Sequence, residues 1–258
     1  MKLINIPFSA GNLGRNNGCE KAPALVCEAL KNFTLNENLK ETKFEILNVP
    51  VDQSNISKTN ENIVNTITDA GDCIILGGDH SITYSCFKAF SKKHKNPALI
   101  VFDAHVDAVS NFSPPTHEDY LRVLVEEKIL KPENIILVGV RNIDRIELDW
   151  LKQKNIRFFT MKQLEDAEDV CDGIMQTLRE FDAVYLSLDI DILDPAFAPG
   201  TGCPEPGGLS TRELLYFLRR IKLLKNLRAV DLVEINPEKD RDNATVKLGA
   251  KIISELIV

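Results

Sequence analysis

The sequence predicts an α/β fold: one mostly parallel sheet with helices on both faces. Two observations carry this. Short apolar runs alternate with segments whose apolar residues recur three and four apart, along the whole 258 residues, which is the pattern of repeated βα units. Polar, metal-competent residues gather at the C-terminal ends of the apolar runs, where open parallel sheets bind their ligands.

The expected strands are residues 3–8, 44–49, 73–76, 98–102, 135–140, 157–159, 183–188 and 228–233. They are short, and several are rich in β-branched residues, as strands buried on both faces are. Helices are expected over 22–33, 61–70, 82–90, 118–127, 170–181, 214–224 and 244–256. Pro23 stands near the start of the first, where its missing N–H costs nothing. Ser210-Thr211-Arg212-Glu213 is a capping box for the sixth. No repeat or linker divides the chain, so residues 1–258 are expected to form one domain.

Composition narrows the function. The chain is 44% hydrophobic and 27% charged, as ordinary globular proteins are. A net charge of −7 and the lack of a basic run argue against a nucleic-acid partner. No apolar run approaches a membrane span, and the N-terminus is too short and polar for a signal peptide. Six cysteines without CxxC spacing fit a reduced, cytoplasmic setting.

Four expected strand ends carry the chemistry. Gly77-Gly78-Asp79-His80-Ser81 follows the third strand, and Asp103, His105 and Asp107 follow the fourth at alternate positions. In extended backbone such positions point the same way. Asp189 and Asp191 end the seventh strand, and Glu234 the eighth. His80, Asp103, His105, Asp107, Asp189 and Asp191 make a set of four carboxylates and two imidazoles without cysteine. Such donors suit Mn²⁺ better than structural zinc. Six ligands exceed the needs of one catalytic ion, whereas two dications would use them all and balance four carboxylates. Two metals also lower the pKa of a water held between them.

These motifs, with Asp189-Ile190-Asp191-Ile192-Leu193-Asp194-Pro195 and the run from Ala198-Pro199-Gly200 to Gly207-Gly208-Leu209, resemble the ureohydrolase family, which includes arginases and agmatinases. The resemblance implies a three-layer αβα sandwich, two Mn²⁺ ions per subunit, a trimer or hexamer, and hydrolysis of a guanidino C–N bond with release of urea. The six residues match the family's metal ligands. Glu234 is similar to its guanidinium-binding glutamate, a carboxylate suited to a permanent cation. His117 is similar to a loop histidine that passes a proton to the leaving amine, a role that suits imidazole. With Asp107 they form the expected catalytic set. The N-terminal Pro7-Phe8-Ser9-Ala10-Gly11 is arginase-like, and Asp144 matches an acid that holds a substrate α-amino group, although it also reads as a helix N-cap. Asn111 or Ser110 could hydrogen-bond a substrate carboxylate. The loop after Asp107 is shorter than is usual in the family, and Glu118 stands where a glycine is common.

The leading expectation is hydrolysis of L-arginine to L-ornithine and urea, with agmatine or another guanidino acid or amine as the rival substrate. A two-metal phosphoesterase would need Gly-Asn-His and Gly-His-x-His signals, and the chain has neither. A non-catalytic metal-binding homologue is the remaining alternative. Asp194-Pro195 reads as a turn, and His94 as a solvated surface residue.

Overall fold

The computed structural model describes residues 2–257. In chain order its elements are β1 (Lys2–Ile6), α1 (Ala22–Leu30), β2 (Glu45–Asn48), α2 (Ile56–Ala70), β3 (Cys73–Gly77), α3 (Ile82–Ser91), β4 (Pro97–Phe102) and α4 (Tyr120–Glu126). They continue with β5 (Ile135–Val140), α5 (Arg145–Lys154), β6 (Arg157–Thr160), α6 (Ala167–Leu178), β7 (Ala183–Asp189), α7 (Thr211–Ile221), β8 (Leu227–Val233) and α8 (Ala244–Leu256). The eight strands form one sheet in the order β2-β1-β3-β8-β7-β4-β5-β6. Every pairing is parallel. All strand C-termini therefore lie along one edge.

Alternation along the strands divides the interior in two. Leu3, Ile74, Ile100 and Leu186 face one apolar cluster, which α1, α6, α7 and α8 cover. Ile4, Ile75, Leu99 and Tyr185 face the other, covered by α2, α3, α4 and α5. Burial on both faces explains why β3, β4 and β5 read as unbroken apolar runs, and β7 as one up to Ser187. The expected three-layer architecture is the observed one.

Several elements differ from expectation, and α1, α6 and α7 each end three residues before the expected C-terminus. β2 is an edge strand whose residues are mostly exposed, since it has β1 on one side alone. α2 starts at Ile56, five residues before the expected start, because Asn55 caps it by accepting from the Lys58 N–H at 3.0 Å. The helix α5 was not expected: among its residues only Glu147, Trp150 and Leu151 are buried, too few for a clear apolar stripe. His94 is half-buried rather than solvated, its ring 4.5 Å from that of Phe90. Among the described residues no helix is long and apolar enough to cross a membrane.

The edge that bears the strand C-termini is closely built around Gly78. Its N–H donates to the Ile6 carbonyl at 3.1 Å, and its own carbonyl accepts from the Glu234 N–H at 2.8 Å. A Cβ there would lie 1.9 Å from the Phe8 carbonyl oxygen, so no side chain fits. Gly78→Ala must push the β1 and β3 extensions apart. It is expected to cost about 1–3 kcal/mol, read as a lower urea midpoint at unchanged slope.

Candidate active site

Four neighbouring central strands, β3, β8, β7 and β4, deliver the polar residues that the sequence singled out. His80 leaves β3 at the start of α3; Asp103, His105 and Asp107 follow β4; Asp189 ends β7 with Asp191 just beyond; Glu234 follows β8. His80 Nδ1 lies 3.1 Å from Asp103 Oδ2 and 3.2 Å from both Asp107 Oδ2 and Asp189 Oδ2. His105 Nδ1 lies 3.0 Å from Asp191 Oδ2 and 3.4 Å from Asp103 Oδ1. Asp103 is thus shared: each of its oxygens faces a different imidazole. The sets His80/Asp103/Asp107 and Asp103/His105/Asp191 each bring their donor atoms within 4.8 Å of one another, close enough to hold an ion.

The burial of these groups is what a cation must answer. His80 is 0% exposed, Asp103 2%, and Asp189 and Asp191 3%. His80 Nδ1 is buried without a hydrogen-bond partner, although it faces three carboxylates. Burial pushes the Asp107 carboxyl up to about 7, and the Asp103 charge beside it acts the same way. Burial and neighbouring acids also raise Asp189 and Asp191 above the usual range. Burial opposes ionisation of Asp103 too, but the two imidazoles outweigh it and hold this carboxyl low. Three carboxylates around an orphaned, buried imidazole nitrogen, with Asp191 against the second imidazole, fit metal cations of the hard or borderline kind.

Further groups orient the imidazoles. His80 Nε2 lies 2.9 Å from Ser187 Oγ, which donates to Asp231 Oδ1 at 2.7 Å. A proton on Nε2 leaves Nδ1 free as a donor of electrons. Asp231 is fully buried in β8 and accepts from Tyr185 Oη at 2.7 Å and Thr83 Oγ1 at 2.8 Å as well. His105 Nε2 lies 3.5 Å from Glu205 Oε1, which also accepts from Asn142 Nδ2 at 2.6 Å. Sequence reasoning missed Ser187, Asp231, Glu205 and Asn142 as functional; a lone acid inside an apolar strand was the available signal for Asp231.

Glu234 is held from three sides. Its Oε1 accepts from the His80 N–H at 2.6 Å, its Oε2 accepts from Asn16 Nδ2 at 2.6 Å, and His117 Nδ1 lies 3.3 Å from Oε1. Its backbone is left-handed at φ 65°, as is that of Asp107 at φ 55°. Such strain in non-glycine residues gathers at functional sites. Burial opposes a charge on the His117 ring, but the Glu234 carboxylate prevails and lifts the imidazole to about 9. The His117 N–H donates to the Gly11 carbonyl at 3.0 Å, which fixes the loop that carries it. Asp119 supports the same loop, accepting from the Thr116 N–H at 2.6 Å.

Most of the acid and imidazole side chains of the two clusters, with Glu234 and His117, line one cavity of about 190 Å³; Asp103 and the groups hydrogen-bonded behind it, Ser187 and Asp231 among them, do not. Its lining includes His80, His105, Asp107, Asp189, Asp191, His117 and Glu234 in depth, and Arg15, Glu118, Asp144 and Glu205 beside them. Asp144 is at once a lining residue and the N-cap of α5, its N–H donating to Glu147 Oε2 at 3.0 Å. Asn111 is exposed and, with Ser110, lies outside the lining. Asp194 forms a turn, accepting from the Ala196 N–H at 2.9 Å and the Gly207 N–H at 2.7 Å.

Paired acid–imidazole clusters at the carboxyl edge of a parallel sheet, opening on one cavity, define the class: a metal-binding α/β enzyme. The family model described as "Arginase family" matches residues 1–258, and the chain belongs to that family of hydrolases. An arginase of Staphylococcus aureus is 34% identical over 213 residues, covering 76% of this chain and 70% of its own. An agmatinase of Bacillus anthracis is 32% identical over 232 residues, covering 87% and 78%. The crystal structure of formimidoylglutamase from Bacillus subtilis superposes with a TM-score of 0.92 at 26% identity, covering 99% of this chain and 85% of that one.

Asp231 offers a direct check on the hydrogen bonds behind the clusters. Tyr185→Phe removes one of three hydroxyl donors from a buried carboxylate. A loss of about 1–3 kcal/mol is expected, whereas Tyr216→Phe, at a half-buried position beside the other apolar cluster, should be near neutral by the same denaturation measurement.

Proposed function

We propose that the protein hydrolyses L-arginine to L-ornithine and urea, using two Mn²⁺ ions held by His80, Asp103, His105, Asp107, Asp189 and Asp191. The observation that carries the reading is Asp103, divided between two imidazole-centred clusters beside the buried carboxylate Glu234. Held there, a pair of dications would supply Lewis acidity for ionising water near neutral pH.

The rest is the work of the chain. Glu234 receives the guanidinium; the bonds from His80 N–H and Asn16 fix its carboxylate so that little ordering remains to be done on binding. His117 Nε2 is buried without a partner in the lining of the cavity and carries a proton to the leaving amine. Asp144 and Glu205 attract the α-amino group. Agmatine is the second reading, favoured by the same acids, because its far end is a cation without a carboxylate.

With Mn²⁺ added, urea release from L-arginine is expected, and its absence from L-arginine and agmatine alike would overturn both readings. Asp103→Asn should lower kcat/KM by about a thousandfold, roughly 4 kcal/mol of barrier, and reduce metal uptake below two equivalents. Glu234→Gln should raise KM by about thirtyfold or more, since a buried cation loses its counter-charge. If either variant matched the parent enzyme, the role given to that residue would be wrong.

A further inference from the structure

The far end of the substrate cavity differs from what the sequence suggested. Asn111 and Ser110, the candidates for a substrate carboxylate, lie outside the lining, and Asn111 is exposed. Arg15 lines the cavity instead. It is the one cation among the described lining residues, histidines aside, against the carboxylates of Glu118, Asp144, Glu147, Glu205 and Glu234. A carboxylate entering this mouth meets net repulsion unless Arg15 receives it.

The position of Arg15 is fixed although its side chain is not buried. The neighbouring Asn16 donates to Glu234 Oε2 at 2.6 Å, and Lys239 Nζ donates to the Arg15 carbonyl at 2.7 Å. The Arg15 backbone is therefore held near the Glu234 carboxylate, and its side chain extends from that fixed point into the cavity lining. One of its nitrogens pairs with Glu118, the residue after His117; the two side chains are 59% and 25% exposed. So exposed a pair is weak, and a guanidinium has five donors. It can keep Glu118 on one edge and accept a second carboxylate on the other.

We propose that Arg15 is the specificity-determining residue that admits a carboxylate at the far end of the substrate, while one edge of its guanidinium stays beside Glu118. This rests on the guanidino-hydrolase reading above. The test compares L-arginine, 4-guanidinobutanoate and agmatine, of which the first two carry a far-end carboxylate and the third does not. In Arg15→Gln, KM for L-arginine and 4-guanidinobutanoate should rise about tenfold with kcat little changed. The ratio of kcat/KM for L-arginine over agmatine should fall about tenfold, and inhibition by L-ornithine should weaken by a similar factor. Arg15→Lys should recover part of each effect. Equal losses on all three compounds, or none on any, would overturn the proposal while leaving the guanidino reading intact. No urea from any of the three with the unaltered protein would instead remove the reading on which the proposal rests.

Discussion

Four carboxylates packed out of water within reach of one another are the constraint around which this molecule is arranged. Asp103, Asp107, Asp189 and Asp191 repel, and desolvation penalises each further. Two imidazoles answer part of the charge, and the two candidate metal-binding groups are where cations would answer the rest. Nothing about such a cluster stabilises a fold by itself. Two thick apolar layers, one on each face of the sheet, supply the stability that lets it persist.

Much of this was legible in the residue order. The double burial of the central strands appeared as apolar runs, and the change from apolar to acidic residues marked where β4, β7 and β8 stopped. His80, Asp103, His105, Asp107, Asp189 and Asp191 could be named because metal-competent residues follow the apolar runs; the extended backbone expected for Asp103, His105 and Asp107 is not the observed one, since they follow β4 outside any strand and Asp107 is left-handed. They converge in the structure. What could not be read depends on contacts remote in sequence. Asn16 belongs to a loop without periodicity, and its bond to Glu234 spans 218 positions. α5 buries too little apolar surface to mark itself. The exposure of β2 follows from its place at the sheet edge, which local pattern does not encode.

The division between the two ends of the cavity also explains why relatives with different named activities share one framework. Strand ends fix the deep half, where a shift of one residue would reverse every side chain. Loops supply the outer half: Arg15 precedes α1, Glu118 precedes α4, and Glu205 lies between β7 and α7. Loops vary at small energetic cost, so the group at the mouth can change while the interior chemistry stays.

The strand order has a bearing on how the molecule is made. One half of the sheet is β2-β1-β3 and the other β7-β4-β5-β6, and β8 is the seam between them. His80 belongs to the first half and the aspartates to the second. A ribosome delivers β8 after every other strand, so a growing chain can assemble each half but cannot unite the acids with His80. The cluster built on His80 is therefore completed only with the final strand, whereas Asp103, His105 and Asp191 already lie together within the second half.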